Sequence, residues 1–186
     1  MAPSWISAGI AIAAILFAVW FAEARAVGSF WPRVFLAAVG VGFIVSIKAW
    51  AVLRGRDVVR PVAFRFAFFE LVVGLTFAAA LMSTADESSL TATQMLSGAL
   101  AALVFSLGLL SSQIGRNRLI GFRTPRTLGN DEAWHAANRA FGRALMVLSP
   151  LSLAGIVAGP AGPLVALSPL IVVAAVFLWR ESRTRG

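Results

Sequence analysis

ALMVLSPLSLAGIVAGPAGPLVALSPLIVVAAVFLW, residues 144–179, contains no charged side chain. About 20 apolar residues carry a helix across a bilayer. This run is too long for one crossing, and Gly159-Pro160-Ala161-Gly162-Pro163 divides it. Glycine and proline packed so densely demand a tight turn. The segment therefore predicts a helical hairpin in a membrane. Four more apolar runs precede it: Trp5–Ala22, Val34–Leu53, Pro61–Met82 and Thr93–Ser112. Only Lys48, Arg65 and Glu70 interrupt them. None alternates with the two-residue period of a barrel strand, and unpaired backbone is too costly in hydrocarbon. The expected fold is all-α: a polytopic integral membrane protein with six transmembrane helices in one bundle.

The composition agrees. Of 186 residues, 59% are hydrophobic and 13% are charged, whereas a soluble domain carries about 25% charged residues. The chain has no cysteine, no tyrosine and a single histidine, His135. That excludes disulfides, thiolate sites, cysteine nucleophiles and a histidine-rich metal cluster. The signatures G-x-x-x-x-G-K-[ST], G-x-S-x-G and H-E-x-x-H do not occur. No connection is long enough for a separate catalytic domain. No enzyme activity, cofactor or metal is expected.

The net charge of +8 would suggest nucleic acid in a soluble protein. Here it sets topology. Arg25 and Arg33 fall between spans one and two, and the other fourteen of the sixteen basic residues map to the opposite side. Basic residues stay cytoplasmic, so both termini are expected inside, in the cell inner (cytoplasmic) membrane. Ala24-Arg25-Ala26 resembles a signal cleavage site, but the start of the chain lacks basic residues and its apolar run is long, so span one is read as retained. The chain reads as one membrane domain over 1–186. Residues 1–82 make an N-terminal three-helix part, and 93–180 a second part with a cytoplasmic loop at 113–143. Direct nucleic-acid contact is not expected, and nothing fixes the oligomeric state.

Residues 113–143, QIGRNRLIGFRTPRTLGNDEAWHAANRAFGR, form the one long polar connection. Gly115, Gly121 and Gly129 permit unusual backbone conformations, and Pro125 restricts Thr124 to extended geometry. Asn130 suits an N-cap, with Asp131 and Glu132 in the first turn of a helix. Trp134, Ala137, Phe141, Ala144, Leu145 and Leu148 then form an apolar stripe, and the helix is expected to enter the membrane as span five. His135, Asn138, Arg139 and Arg143 are read on other faces. Arg123 beside Thr124 and Thr127 could hold a phosphate or carboxylate. More often such an arginine caps carbonyls and pairs with a neighbour, here Asp131 or Glu132.

Asn117, Gly121-Phe122-Arg123-Thr124-Pro125, Thr127-Leu128, Trp134, Asn138-Arg139 and Gly142 match N-x-x-x-G-[IF]-R-T-P-x-T-L followed by W-x-x-x-N/H-R-x-x-G. This pattern resembles the SdpI family of bacterial membrane immunity proteins over about residues 95–180. The resemblance implies a protein that protects its cell from a membrane-active peptide toxin. It also implies signalling, by holding a cytoplasmic transcriptional repressor at the membrane. The toxin, the repressor and the lipid bilayer are the implied partners. Asn117, Gly121, Arg123, Thr124, Pro125, Thr127, Trp134, Asn138 and Arg139 are the implied binding or signalling residues.

Three charges inside the spans form a second candidate site. Glu70 reads near mid-bilayer, where a carboxylate costs several kcal/mol unless protonated or paired. Arg65 is poorly spaced to face it on the same helix and can snorkel outward. Lys48 on the adjacent span is the better partner. The pair could titrate, contact a cationic peptide or simply fix helix register. Pro150 and Pro169, in a repeated Leu-Ser-Pro-Leu, are expected to kink spans five and six, with Ser149 and Ser168 re-satisfying freed carbonyls. Gly40, Gly42, Gly98 and Gly108 read as helix-packing contacts. Besides immunity, Glu70 and the kinked hairpin would suit a small transporter or lipid-handling protein. An accessory subunit of a larger membrane complex is a further reading.

Overall fold

The computed structural model describes residues 5–25, 30–53, 63–84, 90–116 and 120–183. Asn117 lies outside the described residues, as do the charges at 54–60, 86 and 87. Among the described residues there are seven α-helices and no strand. In chain order they are α1 (Trp5–Arg25), α2 (Phe30–Leu53), α3 (Ala63–Ser83), α4 (Leu90–Ser111), the short α5 (Pro125–Gly129), α6 (Asp131–Leu148) and α7 (Gly162–Arg183). Six segments are long and apolar enough to cross a membrane. The fifth joins α6 to a 3₁₀ helix over Ser149–Val157, so span five does begin in the polar connector.

Along α1 small residues line the buried face while large apolar side chains face outward. Ala8, Ala11, Ile15, Ala18 and Ala22 alternate three and four apart along α1, and all are buried. A methyl added at Gly74 would lie 2.5 Å from the Ala11 Cβ, so α1 and α3 run almost backbone to backbone. Such close approach is how helices associate where lipid removes the hydrophobic drive. Leu16, Phe17, Phe35 and Phe43 face outward. Trp5 and Trp179 are exposed at one end of the bundle, and Trp20 and Trp31 at the other, the placement that membrane–water interfaces favour.

α3 touches α1, α2 and α4, while α4 also packs on α6, the 3₁₀ segment and α7. Gly108 and Gly142 make the α4–α6 crossing tight: a methyl on Gly142 would sit 2.5 Å from the Gly108 carbonyl oxygen. Gly40 likewise lies against Phe77. Gly42 corrects its sequence reading, being exposed with nothing within 4 Å of an added Cβ.

The two internal prolines behave differently. At Pro150 the α-helix gives way to 3₁₀ geometry, whereas α7 continues as α-helix through Pro169. Each proline lacks the N–H that would bond the carbonyl four residues earlier. The serine preceding it supplies that bond. Ser149 Oγ donates to the Met146 carbonyl at 3.0 Å, and Ser168 Oγ to the Val165 carbonyl at 2.7 Å. Gly159, at φ +59°, turns the hairpin.

Candidate functional site

Over its described residues the connector is folded, and motif residues fold it. Thr124 is extended at φ −129° and ψ 163°, as its following proline requires, and caps α5, a helix not expected from the sequence. Its Oγ1 accepts from the Thr127 N–H at 3.2 Å, and its own N–H donates to Thr127 Oγ1 at 2.8 Å. Thr127 Oγ1 also lies 3.2 Å from the Phe122 carbonyl. Thr124 Oγ1 reaches Glu181 Oε1 at 3.2 Å, tying the connector to the end of α7. Asn130 caps α6 as expected, accepting from the Glu132 and Ala133 N–H groups at 2.8 and 3.2 Å.

From α6, two side chains clasp the connector. Asn138 is 1% exposed, which corrects its placement away from the stripe: it shares the inner face with Trp134, Phe141 and Leu145. Its Oδ1 accepts the Phe122 N–H at 2.6 Å, and its Nδ2 donates to the Phe122 and Trp134 carbonyls at 3.2 and 3.1 Å. The Trp134 indole N–H donates to the Ile114 carbonyl at 3.0 Å, pinning the chain as it leaves α4. Gly121 sits at φ +111°, and any Cβ there would collide with Asn138 Oδ1. The Phe122 ring stacks on Phe141 at 5.5 Å and meets Phe177 edge-on at 5.4 Å.

The motif therefore sorts into two groups. Gly121, Phe122, Thr124, Thr127, Trp134 and Asn138 hold the connector, while Gly142 seats α6 on α4. Arg123, Pro125 and Arg139 are exposed, as is Leu128. Asp131 does have an arginine partner, but it is Arg116, at 2.8 Å, which also donates to the Leu128 carbonyl at 3.0 Å. Sequence reasoning named neither Arg116 nor Glu181 as a site residue.

Lys48 is the partner of Glu70, with Nζ 2.8 Å from Oε2 and side chains 2% and 0% exposed. Ser7 joins them, donating to the same Oε2, with Lys48 Nζ 3.5 Å from its Oγ. Ser7 is only the third residue of α1, so the pair lies level with the start of that helix. Phe66 and Trp5 each present a ring 5.9 Å from the ammonium. Arg65 turns away to the α4 terminus, where its Nη1 donates to the Leu109 carbonyl at 3.3 Å. A second buried cation, Arg33, lies at the other end of the bundle. It pairs with Glu23 at 3.1 Å and donates to Thr84 Oγ1 and the Thr84 carbonyl at 3.2 Å each.

Beside the clasp a cavity of about 570 Å³ opens between α3, α4 and α6, lined by Arg65, Ser112, Gln113, His135, Arg139 and Arg143. Its signal in the sequence was the spacing of 135, 139 and 143, which puts three basic-type side chains on one helix face. No curated protein and no solved structure matches the chain. The clasp, the cavity's α6 wall and the hairpin beyond them all fall in one recognisable unit: residues 113–179 match the SdpI/YfhL protein family.

Proposed function

We propose that this protein is a membrane immunity protein of the SdpI type, resident in the cytoplasmic membrane. It intercepts a membrane-active peptide, or occupies that peptide's target, from within the bilayer. The observation that carries the reading is the family match over 113–179, set in a chain with six helices able to cross a membrane. The inward-packed small residues and outward aromatic side chains suit a protein that meets its ligand laterally, in lipid. The test is survival. Cells expressing the chain should tolerate a membrane-active peptide that kills an isogenic deletion strain. Equal killing of both strains by every peptide produced from the same genome would refute immunity.

A signalling arm is favoured by one further observation, the clasped connector. Its backbone is held at Ile114 and again at Phe122, yet Arg123, Pro125, Arg126 and Leu128 remain on the surface. A fixed loop with exposed side chains presents a docking surface at little ordering cost. A cytoplasmic repressor is the proposed occupant. Arg123→Ala should lose that soluble partner in a pull-down while leaving the clasp intact. Undiminished recovery would place docking elsewhere.

A further inference from the structure

Arg65, Arg139 and Arg143 converge on the cavity from two helices, α3 and α6. Elsewhere two arginines meet carboxylates, the buried Arg33 with Glu23 and the exposed Arg116 with Asp131. The cavity arginines differ. Among the described residues, none of these three guanidinium groups pairs with a carboxylate, and no acid is among the lining residues. Arg65 spends one N–H on the Leu109 carbonyl, which aims the group and leaves its other donors for a ligand. Ser112, Gln113 and His135 add polar side chains to the lining, and Leu109 and Met146 add apolar ones. Guanidinium groups offer planar forks that match phosphate oxygens. Like charges held together repel one another, and an anion between them removes that cost.

We propose that this cup binds a phosphate group bearing at least two negative charges, a phosphomonoester or a diphosphate, free or at the head of a lipid. A singly charged phosphodiester would leave two guanidinium charges unanswered. The location suits a headgroup. Arg65 is the third residue of α3, and Ser112 and Gln113 lie just past the end of α4, so the cup stands where spans meet the polar connector. At about 570 Å³ it is large enough for a diphosphate with part of its attached alcohol. The site does not depend on the immunity reading, and its failure would leave that reading standing.

The test uses the full chain in phosphatidylcholine nanodiscs at about 0.15 M ionic strength, where nonspecific surface attraction is screened. Inorganic pyrophosphate is titrated by calorimetry. In parallel, phosphatidic acid and phosphatidylglycerol are each doped into the discs, and retained lipid is measured on the purified protein. Wild type should bind pyrophosphate or retain phosphatidic acid over phosphatidylglycerol. R139Q/R143Q should weaken that binding at least about tenfold, the loss expected for removing charge-assisted hydrogen bonds. R180Q/R183Q removes as much charge from the exposed chain end and should change it less than about twofold. R139K/R143K keeps the charge and loses the forks, so it should fall between. If the glutamine pair fails to fold, R65Q, which leaves α6 intact, carries the same comparison. Pyrophosphate and phosphatidic acid lost together identifies phosphate itself as the ligand; phosphatidic acid alone identifies a lipid headgroup. Three results overturn the site: neither probe bound, phosphatidylglycerol held as well as phosphatidic acid, or the tail pair weakening binding as much as the cup pair.

Discussion

Lys48 and Glu70 stand in a setting where neither charge is tolerable alone. Both side chains are essentially removed from solvent, and Glu70 Oε1 is buried without a hydrogen-bond partner. Removing one member of a buried pair strands the other and typically costs 3–5 kcal/mol, whereas replacing both can be neutral. Lys48→Met alone should therefore destabilise the bundle by about 3 kcal/mol or more, and Lys48→Met with Glu70→Leu should recover most of that loss. Thermal unfolding in detergent would decide it: additive losses in the double variant would mean that the two side chains contribute independently. The choice of Lys48 over Arg65 was readable from spacing, because residues five apart on a helix do not face one another. Ser7 was not readable, since a serine in an apolar run carries no periodic signal. Its role appears only once α1 and α3 pack at a fixed offset, the one that also seats Ala11 on Gly74.

Helix α6 is the element that turns the motif string into a structure. Its cap at Asn130 and most of its apolar stripe follow from one-dimensional rules, and the structure keeps both. Asn138 does not follow, because hydrophobic periodicity counts a polar residue against the buried face. Yet 138 is four residues after Trp134 and three before Phe141, squarely within that face. It is buried to satisfy backbone, and in doing so it fixes a connector that otherwise rests on a few apolar side chains, Ile114, Ile120 and Phe122. Asn138→Leu would orphan the N–H of Phe122, at about 1–3 kcal/mol, and leave its C=O with the Thr127 hydroxyl alone. The connector should then open far more often, and trypsin should cut after Arg123 or Arg126 at least about tenfold faster than in wild type. Gly121→Ala should do the same by a different route, since its backbone lies at φ +111° and its Cβ would meet Asn138. Unchanged cleavage in both variants would show that the aromatic cluster of Phe122, Phe141 and Phe177 holds the connector unaided.

The whole molecule inherits its asymmetry from charge. Length and hydropathy were enough to count six spans, and they survive as six apolar segments. They could not show the basic cup, because Arg65 and the pair Arg139 and Arg143 are far apart in sequence and meet only through the α4–α6 crossing at Gly108 and Gly142. Contacts along the bundle gather the start of α1, the end of α2, the start of α3, the end of α4, the connector and the end of α7 at one end. Arg33 and Thr84 mark the other end. Among the described residues, Lys48, Arg65, Arg116, Arg123, Arg126, Arg139, Arg143, Arg180 and Arg183 belong to the connector end. Moving basic loops outward across an energised membrane is unfavourable, so that end should face the cytoplasm. The chain contains no cysteine, which makes the test clean. In intact cells an impermeant maleimide should label Thr84→Cys and leave Arg123→Cys unreacted until the membrane is opened. Arg123 and Thr84 are both exposed side chains, so access rather than burial governs the reaction. The reverse pattern would invert the bundle. It would place both the proposed docking surface and the proposed phosphate cup outside the cell, where no cytoplasmic repressor could reach the first and only outer-leaflet lipids or external anions could reach the second.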